Sequence, residues 1–189
     1  MPPAPTDHAS RNADLRIGHG YDLHRLEPVD PRAGSNRGGR VLKLAGIELE
    51  SPVGPVGHSD GDALFHAITD ALLGALAMED IGTLFPDDDE TNDGRDSIDF
   101  LREASRRVKG AGYEVANIDC TVILERPRLK AHRAAMRDSI AAALGIGADR
   151  VNVKGKSHEG VDAIGEGRAI EVHAVALLKR LPDAEGAPA

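Results

Sequence analysis

The order in which strand-like and helical segments alternate is the sequence feature that most restricts the fold. Runs of alternating, often β-branched residues predict strands at Leu15–His19, Val41–Leu44, Ile47–Glu50, Tyr113–Leu124, Arg150–Lys156 and Arg168–Leu178. Apolar residues at helical spacing predict helices at Asp62–Met78, Ser97–Gly110 and Lys130–Leu144. This order predicts an α+β fold, a ferredoxin-like α/β sandwich whose mixed sheet is covered by helices on one face.

The composition restricts what can fill the core of such a sandwich. Hydrophobic residues make up 41% of the chain, but aromatic residues only 3%, and there is no Trp. We therefore expect a core of Ala, Val, Leu and Ile. A length of 189 residues fits one compact domain better than two with separate cores. The uncovered face of the sheet needs a partner surface, and the same face of another subunit would supply one, although the sequence alone leaves this open.

The net charge and the lack of long apolar stretches exclude several classes of partner. A formal net charge of -8 offers no broad basic surface to a nucleic acid. No stretch approaches the roughly 18 apolar residues of a membrane helix, so we expect no membrane partner. The single cysteine, Cys120, predicts a buried reduced thiol and a cytoplasmic location. We expect residues 1–14 and 181–189 to be disordered tails on a single domain, 15–180.

A short motif near the amino terminus carries residues that bind metals. In the segment from Gly18 to His24, the period of two of an extended chain puts Asp22 and His24 on one face. A carboxylate with an imidazole suits zinc or manganese. A catalytic zinc site usually has three protein ligands and one open position, so a third ligand is needed.

A second motif offers that ligand. His58, Asp62, His66 and Asp70 follow one another at a spacing of four, so the members within the predicted helix share a face. His66 is the predicted third ligand because it lies inside the helix, whereas His58 precedes the predicted capping pair, Ser59 and Asp62. We expect Asp70 or another carboxylate to orient an imidazole. Spacing alone does not separate this interpretation from histidines that only pack or face solvent.

Longer blocks around these motifs resemble one enzyme family. The runs Arg16–His24 and His58–Ala75 are similar to the two signatures of the 2-C-methyl-D-erythritol 2,4-cyclodiphosphate synthase family. Two further blocks, Asp80–Asp89 and Val151–Lys154, match as well. The resemblance spans about residues 15–180, which makes a chance agreement implausible.

The resemblance implies a reaction and its metals. In this family a phosphate of 4-diphosphocytidyl-2-C-methyl-D-erythritol 2-phosphate displaces CMP from the neighbouring diphosphate. The product is 2-C-methyl-D-erythritol 2,4-cyclodiphosphate, a precursor in non-mevalonate isoprenoid biosynthesis. By resemblance, Asp22, His24 and His66 hold Zn²⁺ or another divalent cation, and Mg²⁺ or Mn²⁺ joins the substrate phosphates near Glu159. A homotrimer with active sites between subunits is also implied.

Further roles follow from the same resemblance. His58 and Ser157 correspond to residues that stabilise the transition state, with Ser157 standing where the family usually has threonine. The segment Leu124–Lys130 matches the cytidine-binding segment, and Arg128 replaces a lysine that meets a phosphate. The implied substrate-binding residues are Ser59, Asp80, Gly82, Phe85, Asp87, Asp89, Leu124, Arg128, Leu129, Lys156 and Glu159.

One segment departs from the family pattern, and two other functions stay open. Ala163 and Glu166 stand where the family commonly has an aromatic residue and an arginine, so we expect the central cavity of a trimer to be lined differently here. A metal-dependent phosphohydrolase would use the same ligands to activate water. A binding protein would hold a cytidine nucleotide or an isoprenoid phosphate without turning it over.

Overall fold

A five-stranded mixed sheet forms the centre of the computed structural model, which describes residues 14–30, 38–57, 59–86 and 95–182. Its strands are β1 (Leu15–Pro28), β4 (Val53–Pro55), β5 (Tyr113–Ile123), β6 (Val151–Lys156) and β7 (Ala169–Arg180), in the order β4-β1-β7-β5-β6. β7 is antiparallel to β1 and to β5, and β5 is parallel to β6. The carboxyl ends of β1, β5 and β6 therefore lie at the same end of the sheet.

Helices pack against the inner face of this sheet. The α-helices of the described residues are α1 (Ala63–Ala75), α2 (Ile81–Leu84), α3 (Ser97–Gly110), α4 (Arg133–Leu144) and α5 (Asp162–Gly165), of which α1, α3 and α4 are the long ones. α1 lies on β1 and β7, α3 lies on α1 and β5, and α4 lies on β6. The buried core is almost wholly aliphatic, as the composition predicts. The prediction of an α+β fold with a mixed sheet and packed helices is confirmed.

Two glycines bring β1 and α1 into direct backbone contact. A Cβ atom built on Gly18 would lie 1.9 Å from the carbonyl oxygen of Ala71, and one on Gly20 would lie 1.8 Å from that of Ala67. Real side chains cannot approach so closely, so only glycine fits at these two inward positions. The absence of side chains here lets the helix lie close enough to carry its polar residues next to those of β1.

A buried carboxylate ties the start of α1 to the hairpin of β2 (Lys43–Leu44) and β3 (Ile47–Glu48). Asp62 is the residue that caps α1, and its carboxylate accepts hydrogen bonds from the backbone of Leu64 and Phe65. It also accepts from the backbone N–H groups of Ala45 and Gly46, at 2.9 and 2.6 Å. Ser59 was predicted as its capping partner, but its hydroxyl accepts from Gly61 N instead. The Asp62 carboxylate thus fixes both the turn of the hairpin and the first turn of the helix.

Several element boundaries differ from the prediction. β1 does not end at His19 but continues to Pro28, because Leu23, His24 and Arg25 pair with β7 and the last residues pair with β4. The sequence reading missed β4, α2 and α5, which are three or four residues long and have no periodicity to detect. The predicted tails fall mostly in residues 1–13 and 183–189, outside the described residues. No helix in the described part of the chain has the length and apolarity to cross a membrane.

The outer face of β1 carries a row of exposed apolar side chains. Ile17 is 71% exposed, Leu15 59%, Leu23 51% and Tyr21 46%. They lie on the face opposite Gly18, Gly20 and Asp22, with the exposed His19 between Ile17 and Tyr21. We call these four exposed residues the apolar strip.

Candidate metal centre

Side chains from β1 and α1 converge at the carboxyl end of β1. Asp22 and His24 follow the two glycines on the inward face of the strand, and His66 lies on α1 opposite them. The Asp22 Oδ2 atom lies 3.0 Å from His24 Nε2 and 3.2 Å from His66 Nδ1. His24 Nε2 and His66 Nδ1 are 3.3 Å apart. The three predicted ligands therefore meet in one triangle, and the close packing of β1 on α1 produces it.

The size of the triangle suits a small divalent cation. Bonds of about 2.0–2.1 Å in a tetrahedral zinc site place two ligand atoms about 3.3 Å apart. The three measured separations, from 3.0 to 3.3 Å, are close to that value. Within the described ranges this is the one group of three histidine, cysteine or acidic side chains with such an arrangement. An aspartate and two imidazoles fit a catalytic zinc-type site with one open position.

Hydrogen bonds and charge interactions inside the cluster favour the ionised forms of Asp22 and His66. Burial alone would raise the pKa of Asp22, but hydrogen bonds and charge from His24 and His66 hold it well below its usual value. Burial alone would lower the pKa of His66, but the hydrogen bond and charge of Asp22, with the charges of Asp62 and Asp60, raise it. The cluster therefore carries a carboxylate that is negative at any physiological pH, as a metal ligand must be.

A cavity of about 300 Å³ opens beside the three ligands, and we call it the metal-side pocket. Phe85 and Phe100 form an aromatic wall, with ring centroids 4.5 Å apart, and the Arg95 guanidinium lies 5.1 Å from the Phe85 ring. The pocket therefore joins a polar, metal-ligating end to an apolar side. Its lining is Asp22, His24, Val56, Gly57, Ser59, His66, Ile81, Gly82, Phe85 and Phe100.

Only some of the residues predicted for this pocket line it in the structure. Ser59, Gly82 and Phe85 line it. Asp80 is exposed and lines a separate cavity with His19 and Asp70, and its carboxylate caps α2 by accepting from Thr83 N at 2.8 Å. Asp70, predicted to orient an imidazole, accepts from Ile81 N at 2.8 Å and so anchors the start of α2. The predicted residues His58, Asp87 and Asp89 lie outside the described residues.

A second cavity, of about 350 Å³, lies at the carboxyl ends of β5 and β6, and we call it the basic pocket. The two strand ends are joined by a hydrogen bond from Leu124 N to Lys156 O, at 3.0 Å. The predicted residues Leu124, Arg128, Leu129, Lys156, Ser157 and Glu159 all line it, together with Glu125, Pro127, Lys130, Arg133 and Gly155. No residue lines both pockets.

The basic pocket has the charge expected of an anion site. Arg128, Lys130, Arg133 and Lys156 bring positive charge to its lining. Ser157 Oγ donates to Glu159 Oε1 at 2.8 Å, and Glu159 has a positive φ of 53°. Lys130 and Arg133 were not singled out from the sequence, because basic residues at the start of a helix are common on protein surfaces.

Ser97, Asp60 and Phe100 were also missed. Ser97 is the first residue of α3, and its Oγ lies 2.8 Å from His66 Nε2. Ser97 Oγ also donates to Asp60 Oδ1. The sequence shows a helix start at Asp96-Ser97, but it does not show that this start packs against α1.

The fold and these two pockets place the chain in a class of α+β proteins, with three residues that could hold a metal ion and a basic pocket at the same end of the sheet. Such a pair of sites suits a metal-dependent enzyme that handles phosphorylated substrates. The model of the YgbB family matches residues 15–179, and the chain belongs to this family.

Relatives and solved structures agree with this assignment. A 2-C-methyl-D-erythritol 2,4-cyclodiphosphate synthase of Verminephrobacter eiseniae is 51% identical over 173 residues, covering 90% of this chain and 89% of the relative. The synthase of Rhodopirellula baltica is 46% identical, covering 88% of this chain and 94% of the relative. The structure of an IspF from Plasmodium falciparum in complex with CDP is 36% identical with a TM-score of 0.74, covering 89% of this chain and 97% of the other.

Proposed function

We propose that this chain converts 4-diphosphocytidyl-2-C-methyl-D-erythritol 2-phosphate to 2-C-methyl-D-erythritol 2,4-cyclodiphosphate and CMP. One observation carries the proposal: Asp22, His24 and His66 form a metal-sized triangle that opens into a pocket. Relatives that share about half of the sequence bear the name of this synthase. The protein is accordingly a CMP-releasing, cyclising phosphorus–oxygen lyase.

The substrate supplies its own nucleophile in this reaction. An oxygen of the 2-phosphate forms a new bond to the nearer phosphorus of the diphosphate, and the bond from that phosphorus to CMP breaks. CMP leaves with the bonding electron pair. The protein therefore has to position the phosphates and stabilise their charge. A divalent cation held by Asp22, His24 and His66, for which we propose Zn²⁺, would neutralise phosphate charge and polarise a phosphoryl oxygen.

The side chains of the two pockets divide the remaining work. We propose that the basic pocket holds the cytidine diphosphate part, with Arg128 and Lys156 against phosphate oxygens. Leu124 and Leu129 would flank the base. Ser157 would donate its hydroxyl hydrogen to a phosphate oxygen, and Glu159 would share Mg²⁺ or Mn²⁺ with the substrate. Ser59, Gly82 and Phe85 would border the methylerythritol unit in the metal-side pocket. Asp80, which directly precedes the lining residues Ile81 and Gly82, would contact the same unit.

We also propose that three copies associate through the outer faces of their sheets. The apolar strip supports this, because four large side chains in one exposed row favour burial against another surface. The separation of the two pockets supports it as well, since one substrate could bridge a metal-side pocket and a basic pocket of neighbouring copies. We also propose that each subunit has a ferredoxin-like fold and that the protein is located in the cytoplasm.

The trimer can be tested by light scattering at micromolar concentration. Ile17→Asp places a charge in the strip and should reduce the particle mass to that of one chain. Val41→Asp, at another exposed apolar residue, is the matched control and should leave the mass unchanged. A wild-type mass of one chain would contradict the trimer.

The reaction can be tested by phosphorus NMR of the purified protein with its proposed substrate and Mg²⁺. The expected result is the cyclic diphosphate together with CMP, and a zinc chelator should stop their formation. Release of inorganic phosphate would instead support a metal-dependent phosphohydrolase. Tight binding with unchanged substrate would support a binding protein.

A further inference from the structure

A chain of polar groups lies behind His66, on the side of the ring away from Asp22. His66 Nδ1 faces Asp22 and His24, whereas Nε2 lies 2.8 Å from Ser97 Oγ. Ser97 is fully buried, and its hydroxyl in turn donates to Asp60 Oδ1. The three residues come from three separate parts of the chain, namely α1, the start of α3 and the loop before α1.

The direction of the hydrogen bonds in this chain follows from the groups themselves. A carboxylate can only accept, and a hydroxyl has a single proton to donate. Since Ser97 donates to Asp60, Ser97 can only accept from His66. His66 Nε2 must therefore carry a proton, so the neutral imidazole that a metal requires has its lone pair at Nδ1, the nitrogen that faces Asp22 and His24.

The surroundings of Asp60 support its role as the acceptor at the end of the chain. Its Oδ1 atom also receives the backbone N–H groups of Ser97, at 3.2 Å, and Asp62, at 3.3 Å. Its Oδ2 atom lies 3.9 Å from Lys43 Nζ. All of these neighbours are donors or cations, so the geometry makes Asp60 the acceptor at the end of the chain of hydrogen bonds.

Ser59 lies near the same nitrogen but does not provide the same constraint. Its Oγ is 3.3 Å from His66 Nε2, which is longer than the bond to Ser97. Ser59 is only partly buried and lines the metal-side pocket, so its hydroxyl can turn to a ligand there. The buried Ser97 has no such alternative.

We propose that Ser97 and Asp60 are positioning residues that set the tautomer and the ring angle of His66 for metal binding through Nδ1. Partners of this kind, bonded to the second nitrogen of a ligating histidine, fix its orientation and raise its basicity. The proposal rests on the proposed function only in taking Asp22, His24 and His66 as metal ligands.

The test is metal affinity, measured on the full chain without substrate by competition between Zn²⁺ binding and a chromophoric chelator. Ser97→Ala and Asp60→Asn should each weaken Zn²⁺ binding by about 10- to 100-fold. Ser105→Ala is the matched control, because Ser105 is also a buried serine of α3, and it should keep the wild-type affinity. Circular dichroism of each variant establishes that it is folded, and Asp60→Asn carries the test if Ser97→Ala does not fold.

A double variant separates one connected chain from two independent effects. If Ser97 and Asp60 act through the same hydrogen bond, the double variant should bind Zn²⁺ as tightly as the single variant that has the lower Zn²⁺ affinity. Wild-type affinity in a folded Ser97→Ala or Asp60→Asn variant would overturn the proposal, and so would losses that add fully. Because no substrate is present, these results stand whether or not the chain makes the cyclic diphosphate.

Discussion

The polar side chains of the metal-side pocket are buried or half-buried and contact one another, whereas the basic side chains of the basic pocket are exposed to solvent. The side-chain atoms of Asp22, His24 and His66 that face one another lie within 3.3 Å of each other. The side chains of Arg128, Lys130 and Lys156 are exposed and form no hydrogen bond or ion pair with another described residue. The polar groups of the first pocket are therefore preorganised by the fold, whereas the basic side chains of the second can change rotamer in solvent.

This difference between the two pockets predicts which properties a substitution in each pocket should change. A change in the metal-side pocket alters buried contacts, so it should affect metal binding, stability and chemistry together. A change in the basic pocket removes a screened, exposed charge, so it should affect substrate binding and little else.

Removal of a metal ligand should have the largest effect. His24→Ala should lose the bound metal and lower the rate of cyclisation on the order of 10³-fold, since a metal supplies several kcal/mol and about 1.4 kcal/mol is worth tenfold. Metal content by elemental analysis and the rate by phosphorus NMR measure the two losses. His132→Ala is the control, because His132 lies at the start of α4 and lines neither pocket. Stoichiometric metal in a folded His24→Ala variant would show the ligand assignment to be wrong.

Separation of β1 from α1 should have the next largest effect. Gly20→Ala places a Cβ atom against the Ala67 carbonyl and should cost about 3 kcal/mol of unfolding free energy, with weaker metal binding. Gly110→Ala is the matched control, since a Cβ atom there meets nothing, and it should be neutral or slightly stabilising. Denaturant unfolding measures both. CMP binding to the basic pocket should be unchanged in Gly20→Ala, and an equal loss there would break the comparison of the two pockets.

Loss of a cation from the basic pocket should have a smaller and more selective effect. Arg128→Ala should raise KM about tenfold, because one charge-assisted hydrogen bond to phosphate is lost while solvent screens the remaining charges. The metal content and the unfolding free energy should stay at wild-type values. Steady-state kinetics measures KM. Arg102→Ala is the control, because Arg102 is an exposed arginine of α3 that pairs with Asp99. A loss of metal in Arg128→Ala would show that the pockets are coupled within one chain.

A pH dependence of the metal-free protein should be the smallest effect. The raised pKa of His66 stabilises the fold below its unfolded value of about 6.5, and this contribution is lost as the pH rises through the folded pKa. The lowered pKa of Asp22 stabilises the fold above its unfolded value of about 3.9, and this is lost as the pH falls through the folded pKa. The melting temperature of chelator-treated protein should therefore decline above neutral pH.

Two comparisons sharpen this prediction. Asp22→Asn should remove most of the decline, because the charge that raises the pKa of His66 is gone. Zinc should oppose the decline, because metal binding needs the neutral imidazole and strengthens as the pH rises. A decline of the same size in Asp22→Asn would assign it to other groups.

The two pockets also differ in how far the sequence predicted them. The ligands Asp22, His24 and His66 were predicted from the period of two in a strand, the spacing of four in a helix and the family resemblance, and the structure brings them together. Ser97 was missed because it approaches His66 only through the packing of α3 on α1. Asp70 lies on α1 as the spacing requires, but the start of α2 uses its carboxylate. Periodicity in the sequence predicts on which face of a helix or strand a residue lies, but it does not predict which other element packs against that face.

The α+β class, the aliphatic core and the three residues of the candidate metal cluster could be predicted from the sequence, because they depend on local periodicity, composition and motif. Three other features appear only in the folded structure: β1 runs on to Pro28, Asp62 joins a hairpin to a helix, and Asp60 lies behind His66 through Ser97. Each of these depends on contacts between residues distant in the chain. The most telling are Gly18 and Gly20, whose missing side chains matter only because α1 lies against them.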